Sequence, residues 1–185
     1  MIGKHEVKQA RQTDLKGSIA IGLDDVFTAL EECLCDLSDE QVAALPIPGR
    51  NNIAWIMTHT LDNLAHYANA FPSGKMPAAY EERSEAWRSW TRERPKPEDT
   101  FPTTQELLSV LADVRDAATE ALSTLTGADL LAAPQHTEDF WKGRTQADAY
   151  MRTIWHANAH LRQMWLIRGA LGLTDGKAWP QQHWA

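Results

Sequence analysis

His156 and His160 stand four residues apart in Trp155-His156-Ala157-Asn158-Ala159-His160. On an α-helix residues at that spacing are about 40° apart on one face, close enough to share a single ion. The same face carries Ala149, Ile167 and Leu171 and is flanked by Met164, so it points inward and not to water. Buried neutral imidazoles need partners, and a divalent metal is one way to supply them. A third nitrogen comes from an earlier segment, where His59 shares a helical stripe with Trp55, Asn63 and His66. Either His59 or His66 can face the pair. Three imidazoles without a thiolate suit a reactive site with one open position better than a sealed structural one, and they suit zinc, nickel, iron and copper alike. The residue after His156 is Ala157, where the zinc-peptidase motif requires a Glu base, which excludes peptide hydrolysis by that route.

Four amphipathic segments must position these residues. From Asp14 to Leu37, apolar residues recur every three or four positions and predict a first helix despite Gly17 and Gly22. Ser38-Asp39-Glu40-Gln41 is a capping-box pattern opening a short turn that ends at Pro46. Asn51 or Asn52 caps a second helix to about Phe71, closed by Pro72-Ser73-Gly74. Lys75 to Pro102, rich in charge and Pro, reads as a long crossover that includes a short helix from Tyr80 to Arg92 and could lie over the site. Thr103-Thr104-Gln105-Glu106 opens a third helix through Leu125, and Thr145-Gln146-Ala147-Asp148 opens a fourth to about Leu171, before Gly172. Leu37 to Leu45 and Leu125 to Ala133 are alike, each a capped turn ending in Pro, as two helical hairpins would require. No strand pattern competes, so the expected fold is all-α, a four-helix bundle with a long crossover between helices two and three. A chain of 185 residues fits one domain, 1–185.

Composition narrows the partners. Hydrophobic residues make up 43% and charged residues 23%, an ordinary globular balance. A net charge of -7 disfavours a general nucleic-acid surface, which needs concentrated Lys and Arg, so no nucleic-acid partner is expected. No run of 18 apolar residues and no secretory h-region is present, so neither a membrane nor export is expected and the cytoplasm is the default compartment. Cys33 and Cys35 point about 200° apart on a helix and read as reduced thiols. Eight tryptophans, several of them near the histidines, suggest either an aromatic-walled pocket or core filling.

Asn52-Ile53-Ala54-Trp55-Ile56-Met57-Thr58-His59-Thr60-Leu61-Asp62, taken with His156-Ala157-Asn158-Ala159-His160-Leu161-Arg162-Gln163-Met164, resembles the DinB/YfiT superfamily over nearly the whole chain. That resemblance implies a four-helix bundle in which one His of helix two and a His-x-x-x-His of helix four bind a divalent metal, described as zinc, nickel or iron. Carried onto this sequence, it assigns His59, His156 and His160 as ligands and leaves His66 beside or outside the site. It also implies a reaction class, since relatives include thiol-dependent S-transferases and a mycothiol-dependent maleylpyruvate isomerase. The expected function is therefore a metal-dependent transferase or isomerase using a low-molecular-weight thiol on a small-molecule substrate. The rivals are a metal-dependent hydrolase, with Asp62 as the nearby carboxylate, and a non-catalytic, stress-associated metal-binding protein. Asp62, Asn63 and Gln163 are candidates to orient the ligands or bind the thiol, Trp55 to wall the site, and Arg152 to meet a substrate carboxylate. Relatives often pair through exposed helical faces, so a homodimer is a further expectation.

Overall fold

The computed structural model describes residues 14–83, 94–134 and 142–173, and among them every regular element is helical. The elements are α1 (Leu15–Leu34), α2 (Asp39–Ala43), α3 (Ile53–Leu64), a π-helical turn (Ala65–Ala70), α4 (Phe71–Ser73), α5 (Thr104–Thr124), α6 (Gly127–Leu131) and α7 (Gln146–Ala170). Residues 78–83 are helical as well.

The helices begin where short polar side chains satisfy the first backbone N–H groups. Asn52 Oδ1 accepts from Trp55 N at 2.8 Å, while its amide nitrogen donates to Ala43 O at 2.9 Å and so fixes α2 against the start of α3. Ser38, Thr103, Thr126 and Thr145 each head a reciprocal capping box. The two short capped helices α2 and α6 precede α3 and α7 in the same way, as the likeness of the two halves requires.

Each long helix packs against two others: α1 lies against α5 and α7, and α3 lies against α5 and α7. Their inward faces merge into one cluster that includes Phe27, Leu30, Met57, Leu61, Val110, Val114, Leu161 and Met164. Full burial of each such side chain stabilises the fold by about 1.5–3 kcal/mol before entropy is counted. Arg168, 3% exposed, ties α7 to the end of α1. Its guanidinium donates to Cys33 O at 3.0 Å and to both Asp36 carboxylate oxygens at 2.7 and 2.9 Å, and it lies over the Trp165 ring. A buried charge is tolerated there because it is paired bidentately and also satisfies a carbonyl at the end of α1. Cys33 is buried and Cys35 exposed, both as free thiols.

The expected second helix departs from regularity. It runs on to Ser73 but passes through the π turn at Ala65–Ala70. Pro72 has no N–H to give to the carbonyl four residues earlier, that of Ala68, and a proline ring would clash with it in a regular helix. The wider turn relieves the clash, and the buried Tyr150 hydroxyl donates to Ala68 O at 3.3 Å. Residues 84–93 of the expected crossover, most of its Tyr80–Arg92 helix, the loop at 135–141 and the tail with Trp179, Pro180 and Trp184 lie outside the described residues. No helix among the described residues is long and apolar enough to cross a membrane.

Candidate metal centre

His59 sits in the middle of α3, and His156 and His160 occupy successive turns of α7, the helix packed against α3. Nε2 of His156 lies 3.2 Å from Nε2 of His59 and 3.2 Å from Nε2 of His160. All three ligand atoms fall within 4.8 Å of one another, and no other set of three His, Cys, Asp or Glu among the described residues converges in this way.

An imidazole Nε2 carries one proton or offers one lone pair, so three of them meeting at a point cannot all be satisfied by mutual hydrogen bonds. A cation between them satisfies all three. The spacing fits: zinc–nitrogen bonds of about 2.0–2.1 Å at tetrahedral angles would hold the nitrogens about 3.3 Å apart. Nδ1 of His160 faces Gln163 Oε1 at 3.3 Å, and in the tautomer that donates to it the Nε2 lone pair is left for the ion. Nδ1 of His59 and Nδ1 of His156 are buried with no hydrogen-bond partner among the described residues.

The electrostatics favour ligation. All three rings are half-buried, and burial holds each imidazole below its ordinary pKa. For His156 burial comes first, the His160, His59 and Arg152 charges add to it, and the value is pushed down to about 4. The rings are neutral near pH 7, the form that binds a metal, so protons do not compete for the site.

The surrounding residues divide into those that touch the trio and those that do not. Trp55 stacks on His59, ring centres 5.3 Å apart and planes 20° from parallel, and so walls one side. It is the one tryptophan among the described residues in that position: Trp155 is 68% exposed and Trp165 lies under Arg168, while five others fall outside the described residues. Asn63 accepts from the Thr153 hydroxyl at 2.5 Å and clamps α3 to α7 beside the histidines. Asp62 accepts from the buried Tyr80 hydroxyl, and its charge favours the protonated form of His59 against the larger effect of burial. Arg152 is exposed on α7, one turn before His156. His66 packs edge-on against Tyr67 and Phe71 and does not join the trio. Sequence reasoning missed Tyr80 and Thr153 as parts of the site. Their partners are 18 and 90 residues away, and neither residue type announces a role.

The DinB superfamily model matches residues 23–164, a span that contains all three histidines. This chain belongs to the DinB superfamily. The DinB fold recurs in the crystal structure of a conserved protein from Enterococcus faecalis, with a TM-score of 0.62 and 18% sequence identity. That match covers 83% of this chain and 94% of the other. A search of curated protein sequences returns no match.

Proposed function

We propose that this DinB protein is a single-domain four-helix bundle, with a long crossover after α4, that holds one divalent metal ion through His59, His156 and His160. Its function is metal-dependent transfer or isomerisation using a low-molecular-weight thiol. The observation that carries this reading is the convergence of three half-buried Nε2 atoms with no fourth His, Cys, Asp or Glu among the described residues. Three neutral donors leave part of an ion's coordination shell open, which is the arrangement of reactive sites.

When bound, a divalent ion would supply Lewis acidity at that open side and lower the pKa of a thiol entering it. The protein's residues do the rest. Gln163 sets the tautomer of His160, the Asn63–Thr153 clamp keeps α3 and α7 in register, and Trp55 covers one flank of His59 with an apolar ring that excludes water. Arg152, exposed on α7 near His156, would attract an anionic group of a substrate.

The hydrolase reading is less well supported, because it needs a free general base beside the open side. Asp62 is the nearby carboxylate, and it stands outside the converging cluster. Cobalt substitution followed by thiol addition separates the readings. A sulfur-to-cobalt charge-transfer band on adding glutathione or another small thiol is the expected result. Its absence across a panel of thiols would remove the thiol-dependent function while leaving the metal centre standing.

A further inference from the structure

Tyr80 is fully buried, and a phenol in that position must place its hydroxyl on a polar partner. The partner is the Asp62 carboxylate, three residues after His59 on α3 and therefore a neighbour of that ring on the helix surface. Asp62 is not itself a ligand, because the converging cluster comprises the three histidines alone. The helical stretch 78–83 that carries Tyr80 is held on its other side by α5: Ala79 N donates to Asp113 Oδ2 at 3.0 Å, and Arg83 lies 3.6 Å from Glu106. Tyr80 thus links this stretch to the helix bearing the first histidine.

We propose that Tyr80 is a positioning residue for the metal centre: its hydroxyl holds the Asp62 carboxylate beside His59, where the negative charge strengthens divalent-cation binding and couples it to the docking of segment 78–83. The inference rests on reading the trio as a metal centre. A half-buried carboxylate one turn from a ligand attracts a dication through a medium less screening than water. Its contribution depends on the carboxylate being held beside His59. The phenol supplies that constraint, because its hydrogen bond to a carboxylate oxygen fixes the rotamer. Phenylalanine keeps the ring's packing and removes that constraint, so Asp62 can swing outward to water. Neutral His59 supplies no such constraint of its own, because its Nδ1 makes no bond to Asp62.

The test is zinc titration in competition with a chromophoric chelator, on the parent, Tyr80→Phe, Asp62→Asn and the double variant, with thermal unfolding of each metal-free protein alongside. Tyr80→Phe is expected to weaken zinc binding about tenfold, the low end for residues that orient metal ligands. Asp62→Asn should weaken it at least as much, and the double variant should be no weaker than Asp62→Asn, because both changes remove the same effect. Parental zinc affinity in Tyr80→Phe, or losses that multiply in the double variant, overturns the proposal. If Tyr80→Phe fails to fold, Asp62→Asn decides alone, and unchanged affinity there overturns it too. A parent that binds no zinc removes the metal centre and this inference together, whereas zinc binding indifferent to these changes removes the inference only.

Discussion

Replacing Thr153 with Val keeps the shape of a fully buried side chain and deletes one hydroxyl. That hydroxyl donates at 2.5 Å to Asn63 Oδ1 and joins the two helices that carry the histidines. The net hydrogen bond is worth about 1 kcal/mol, and a buried acceptor left unpaired costs about 1–3 kcal/mol. Asn63 is half-buried, so water can repair part of the loss and the low end applies, about 1 kcal/mol. With a urea dependence of about 2 kcal/mol per molar, the unfolding midpoint falls by about 0.5 M. Asn63→Ala should give a loss of similar size, and the double variant should fall short of the sum by about 1 kcal/mol, the signature of a shared bond. His59 lies one turn before Asn63 and His156 one turn after Thr153, so both single variants should also weaken zinc binding. Urea unfolding followed by circular dichroism, with zinc titration of the same samples, measures both effects. Strictly additive midpoint shifts, or zinc affinity untouched by either change, would refute the clamp.

Burial pushes the Cys33 thiol up to about 12, with Arg168 pulling the other way, while Cys35 is exposed. Iodoacetamide at pH 8 should therefore modify one thiol per native chain and two in denaturant, and mass spectrometry of the peptides should place the native adduct on Cys35. Equal native labelling of both would contradict the packing of α1 against α7. The metal-stripped protein should lose stability in acid through its histidines. Their folded pKa values are depressed from 6.5, so below about pH 6.5 the unfolded chain binds more protons than the fold. The stability they contribute is complete above that pH and falls away toward about pH 4, the value for His156. Urea midpoints of the stripped parent should drop between pH 6.5 and 5 more steeply than those of a His59→Gln, His156→Gln, His160→Gln variant. Parallel curves would count against the burial of the trio.

Much of the fold was legible because it is written in short-range chemistry. A side chain that caps a helix binds a backbone amide two or three residues on, so Asn52, Thr103 and Thr145 declare their helices in sequence alone. The trio was legible for a similar reason: the His156–His160 spacing is local, and a resemblance to known proteins selected His59 over His66. The π turn escaped the reading. Pro72 was visible, but the Ala68 carbonyl it leaves without an N–H accepts from Tyr150, on a helix far along the chain, and no local pattern records that pairing. The partners of Asn63 and Asp62 were not legible either. Both sit within a turn of His59 as expected, but what each does is decided by Thr153 and Tyr80, and no local pattern records those pairings.

The central claim is that His59, His156 and His160 hold one divalent ion. Elemental analysis of the purified protein beside a His59→Ala, His156→Ala, His160→Ala variant, each before and after incubation with zinc, nickel or iron and removal of excess, measures it directly. The account predicts about one metal ion per parent chain and none in the variant. A parent that retains no metal after reconstitution, or a variant that retains as much as the parent, would contradict it.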